Sequence, residues 1–92
     1  MANLNQPFNG AASIFPFSKT YGTSDSVSFS AGIARFNYTG TYILITESPL
    51  GNETVTHICG EVGGWYNSPI VRVMQTGSSV TSTAAVNIHR NV

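Results

Sequence analysis

Charge is what this chain has least of. Eight of its 92 residues are formally charged, or 9%, against about 25% in an ordinary globular domain. Lys19, Arg35, Arg72 and Arg90 balance Asp25, Glu47, Glu53 and Glu61, so the net charge is zero. No basic cluster exists, which excludes capture of nucleic acid by phosphate neutralisation. The same lack excludes an anionic membrane surface. Weak charge of either sign also removes the repulsion that keeps copies apart.

Cysteine is nearly absent too. Cys59 stands alone, which rules out an internal disulfide. A chain this short buries roughly 60–65% of its unfolded surface, so self-association or docking is the natural reinforcement. No apolar run approaches the ~18 residues of a membrane span. The opening Met-Ala-Asn-Leu-Asn-Gln-Pro has neither a basic nor an apolar region, so no secretory signal peptide is expected. Helical periodicity is also missing over any ten residues.

What remains is short apolar stretches set in hydroxyls and amides. Hydrophobic residues reach 41%, with twenty-one Ser plus Thr and eight Asn. Residues 1–13 read as a polar arm, with Phe8 as a possible plug into a neighbour, and 14–92 as one β-domain. Pro16 limits Ile14–Phe17 to an edge strand. Ser26–Ser30 alternates, and Ile33–Tyr38 follows as a strand. Thr41–Glu47 (TYILITE) is β-branched and apolar on both faces, which predicts a strand flanked on both sides.

Ser48–Asn52 carries turn residues, so Thr54–Val62 is the expected hairpin partner of TYILITE. Gly63-Gly64 interrupts, and Trp65–Pro69 is expected as an aromatic-bearing loop before a strand over Ile70–Gln75. The last segment alternates cleanly, with Val80, Ser82, Ala84, Val86 and Ile88 on one face. Together these predict an all-β fold, a compact antiparallel sandwich or jelly roll of six to eight short strands with no long helix.

Reaction chemistry finds little support. His57 and Cys59 share a strand face and His89 lies on the terminal strand, but no paired ligand spacing accompanies them, so no metal is expected. A lone strand cysteine acts as a small apolar residue. Glu47, Glu53 and Glu61 sit in no catalytic motif, and no G-x-S-x-G elbow exists. The glycines at 60, 63 and 64 lack a P-loop lysine and a following helix. No enzyme activity and no cofactor are expected. Two N-x-[ST] sequons, at Asn37 and Asn52, match the number that chance supplies.

Trp65, Tyr66 and Asn67 are the most suggestive group. Aromatics beside an amide suit a pyranose, a protein anchor, or a lid over the core. All three readings stay open at this point.

The run from Val27 to Ile45, with Phe36, Gly40 and Tyr42 in place, resembles the core-strand layout of trimeric β-knobs in complement-type heads and phage fibre tips. The Ala85–Arg90 ending is similar to the closing strand of such tips. With no shaft preceding it, the neutral Ser/Thr-rich chain with a polar arm looks more like a phage capsid decoration, or cement, protein. That resemblance implies a virion structural protein, made in the host cytoplasm. It would act as an oligomer, a trimer by analogy, clamping a shell protein. The contact residues it implies are Trp65, Tyr66, Asn67 and Phe8. The alternative is a receptor- or carbohydrate-binding fibre tip.

Overall fold

The computed structural model describes residues 17–90. The expected arm over 1–13, including Phe8, lies outside the described residues. Six strands follow one another: β1 Phe17–Tyr21, β2 Gly32–Phe36, β3 Gly40–Thr46, β4 Glu53–Cys59, β5 Trp65–Met74 and β6 Val86–Arg90. The fold is all-β and antiparallel, and no helix occurs among the described residues. All six strands hydrogen-bond into one sheet, in the order β1-β6-β2-β5-β3-β4.

The strongest strand signal lands as expected. TYILIT lies in β3 and pairs on both sides, with β4 from Thr46↔Glu53 to Gly40↔Cys59 and with β5 from Ile43↔Met74. The reversal between β3 and β4 closes with Gly51 at φ 118°, where only glycine is at ease. Tyr42, Leu44 and Thr46 point inward and are buried, while Thr41, Ile43 and Ile45 face outward and are half-buried.

The inward face forms the core. Ala34 and Phe36 of β2, Val86 and Ile88 of β6, Ile70 and Val73 of β5, and Cys59 of β4 all gather on it. The buried phenol of Tyr42 donates to the Tyr38 carbonyl oxygen at 2.7 Å, so its polar end is satisfied. Phe36 and Tyr42 contact ring to ring at 4.4 Å although β5 lies between their strands. Flat neighbouring strands sit about 4.8 Å apart. The sheet therefore curls around its inner face.

Three segments depart from the periodicity. Trp65–Pro69 is not a loop but the first half of β5. The proline is accommodated because the ladder is irregular there. Pairing with β2 passes from Ala34↔Tyr66 to Gly32↔Ile70, leaving extra residues on β5. A bulge needs no ladder bond from Pro69.

Ser26–Ser30 is not a strand, although Phe29 N–H donates to the Val71 carbonyl oxygen at 2.8 Å. The Ser24 hydroxyl accepts from the Ser26 and Val27 N–H groups, a local turn that competes with a ladder. In the last segment only Val86–Arg90 forms a strand. Ser82 Oγ accepts from Ala84 N–H and bends the chain just before it.

Candidate interaction surface

The bulged start of β5 separates the three residues singled out from the sequence. Strand alternation turns Trp65 outward, opposite Arg35, and Tyr66 inward, opposite Ala34. Tyr66 packs against the core and meets the His57 ring edge-on at 5.1 Å. Asn67 is exposed, and the same alternation puts it on the Trp65 side. The three do not form one contiguous grip.

Trp65 is already engaged. The Arg35 guanidinium lies over its ring at 5.9 Å, and the His89 imidazole sits 4.9 Å from it. No carboxylate pairs with Arg35 among the described residues, so the indole is its main partner. His89 Nε2 is buried without a hydrogen-bond partner. Burial, then the positive charge of Arg35, holds His89 below the ordinary histidine pKa.

His57 and Cys59 do share the inward face, as their spacing predicts, but His89 lies on the opposite one. His57 stacks on Phe36 at 4.9 Å, and burial holds its pKa below the ordinary value. The buried Cys59 thiol donates to the Glu61 carbonyl oxygen at 3.0 Å. Among the described residues, no three His, Cys, Asp or Glu side chains come close enough to hold a metal ion.

Glu47, Glu53 and Glu61 are all exposed. The fourth acid, Asp25, is a structural tie. Its carboxylate accepts from the Thr76 hydroxyl and from the Gln75 and Thr76 N–H groups, both at 2.9 Å. The Thr76 hydroxyl bond is the main cause of its depressed pKa.

Near this tie, Tyr21 and Phe29 stack at 4.4 Å beside an open depression of about 400 Å³. Thr23, Gln75, Thr81 and Thr83 also line it, and no charged side chain does. It offers a neutral surface and no reactive group.

The feature that sequence reasoning missed is the β4 edge. Thr41 N–H donates to Ser79 Oγ and the Thr41 carbonyl accepts from Ser79 N–H, both at 2.9 Å. Ile43 N–H donates to Ser78 Oγ, also at 2.9 Å. The odd residues of β3 thus bond away from β4. Antiparallel strands alternate the side on which N–H and C=O project, so the even residues of β3 bond β4 through Glu53, Val55, His57 and Cys59. The N–H and C=O groups of Thr54, Thr56 and Ile58 point to the other side of β4, where no strand pairs among the described residues.

Edges of this kind are usually guarded by lysine, proline or a bulge. Thr54–Ile58 contains none of these and no formal charge, and Glu53 at the start of β4 is the only charged residue of the strand. Ile58 (74%) is exposed on this strand, and Leu50 (98%) and Val62 (65%) are exposed in the turns before and after it. The signal was present in Thr-Val-Thr-His-Ile, a β-branched strand without a gatekeeper. Only the strand order shows that it lies at an edge.

No protein-family model, curated protein or solved structure matches this chain.

Proposed function

We propose that this protein is a virion structural subunit, a decoration (cement) or minor capsid component that stabilises a shell through contacts between subunits. The observation that carries the reading is the β4 edge, unpaired among the described residues, with Ile58 exposed on it and Leu50 and Val62 exposed in the flanking turns. Exposed apolar residues grouped along an open strand edge are a liability in a protein that stands alone. In a symmetric shell each copy covers such a surface on its neighbour, and every Å² of apolar area removed from water contributes roughly 25 cal/mol.

The composition supports the same mode of action. With 9% charged residues and no net charge, close packing of many copies meets little long-range repulsion. The work is mechanical, and no chemical step is required of any side chain. Trp65 contributes as a rigid outer-face anchor clamped by Arg35.

Mass spectrometry of purified particles tests this reading. Peptides of this chain are expected at a stoichiometry comparable with the shell protein. Their absence from intact particles would overturn the assignment.

A further inference from the structure

The geometry points to a second copy of this chain as the partner of the β4 edge, paired antiparallel about a twofold axis through Thr56. This rests on the reading of the protein as an assembling subunit, and names the partner and the register.

Hydrogen bonding comes first. The free edge groups belong to Thr54, Thr56 and Ile58, all even-numbered. An antiparallel partner of the same sequence satisfies them only when even residues face even residues. Centring the pair on Thr56 sets Thr54 opposite Ile58 of the second copy, Thr56 opposite Thr56, and Ile58 opposite Thr54. Each of these is a hydrogen-bonded pair exchanging two bonds, so the whole edge is satisfied. The same choice keeps both inward faces on one side, because a slip of one residue would turn one copy over.

Side chains follow the same register. The outer face of the junction becomes a row of Thr and Ile, residue types that pair well across strands. Leu50 and Val62 lie in the turns that flank β4 and stand outside this ladder. Ile58, 74% exposed, is thereby set against Thr54 of the second copy, and the symmetry covers it in both copies.

Charge agrees as well. Glu53, the one charged residue of β4, faces Cys59 of the second copy, so no like charges are set directly opposite within the strand. The small residues Asn52 and Gly60 meet where the strand ends approach.

Ile58 of each copy supplies roughly 100 Å² by its transfer energy. With the strand edge added, the contact is smaller than the roughly 800 Å² per partner of a standard interface. The pair is accordingly a weak dimer, reinforced wherever copies are held at high local concentration. It closes at two copies, in place of the trimer that the fibre-tip resemblance implies.

Cysteine cross-linking tests the register. Thr56 is exposed, so Thr56→Cys should fold normally, as circular dichroism can check. Its Cα would lie about 5.5 Å from its symmetry mate, within disulfide range. For Thr54→Cys the two copies of the residue lie about 14 Å apart, beyond that range. Native Cys59 is buried and faces inward.

Under mild oxidation, Thr56→Cys is expected to give at least about tenfold more disulfide dimer than Thr54→Cys. Equal yields from the two variants, or none from either, would overturn the proposal. So would cross-linking of Thr56→Cys to a shell protein alone. That result, and any failure of the dimer, leaves the particle assignment to be decided separately by mass spectrometry of the virion.

Discussion

The rings of Phe36 and His57 stack with centroids 4.9 Å apart, although their strands stand three places from each other in the sheet. A flat sheet would separate β2 from β4 by about 14 Å. The contact therefore ties β4 back over the core and makes the inward face concave. One consequence is mechanical. The strand that carries the open edge is anchored by aromatic packing as well as by its ladder with β3.

Replacing Phe36 with Ala is expected to cost about 3–5 kcal/mol, a large share of the ~5–15 kcal/mol typical of a domain. Phe36 is fully buried and touches both Tyr42 and His57. Urea denaturation followed by tryptophan fluorescence would measure it. A loss below about 1 kcal/mol would mean that the ring is not central to the core.

Acid should weaken the fold before the carboxylates titrate. Burial depresses the pKa of both His57 and His89 below 6.5. Below that value the unfolded chain binds protons that the native chain does not, so unfolding is favoured as pH falls. Stability from these groups is complete above pH 6.5, and is lost as pH falls from there through the folded-state values. The melting temperature is expected to hold steady above about pH 7 and to drop toward pH 5. His57→Phe, which keeps a ring against Phe36, should make that drop shallower. An unchanged pH profile in the variant would contradict the assignment.

Glycine substitutions separate close approach from open space. A Cβ at Gly22 would lie 2.8 Å from the Thr83 Cα and 3.0 Å from the Ser82 and Thr83 carbonyl oxygens, all backbone atoms. A Cβ at Gly60 would meet nothing within 4 Å. Gly22→Ala is therefore expected to destabilise by about 1–3 kcal/mol, and Gly60→Ala by less than about 0.5 kcal/mol. Thermal denaturation of the two variants side by side provides the check.

Local pattern carried part of the fold. Thr41–Glu47 announced itself through β-branched residues on both faces, and Ser48–Asn52 through turn chemistry, so the β3–β4 hairpin was legible. Ile33–Tyr38 was legible in part through its alternation, but the strand ends at Phe36, and Asn37 and Tyr38 bend away. Trp65–Ser68 was not, because Pro69 and Gly63-Gly64 signal a loop. The bulge that admits the proline exists only through pairing with β2 and β3.

Strand order was hidden as well. Pairings such as Lys19↔Ile88 join residues far apart in the chain, and periodicity carries no information about them. For the candidate surface, sequence drew attention to Trp65, Tyr66 and Asn67, which one strand splits over two faces. Leu50, Ile58 and Val62 read as ordinary hairpin residues, and only the strand order shows that β4 has no outer neighbour among the described residues.

The central claim is that the β4 edge is an association surface, and solution mass against concentration tests it most directly. Light scattering on the native chain should rise from 9.8 kDa toward twice that value at high concentration. Ile58→Lys, which places a charge on the free edge, should hold the mass at the single-chain value throughout. A native protein that stays at 9.8 kDa up to millimolar levels, or a variant that associates as readily as the native chain, would contradict the account.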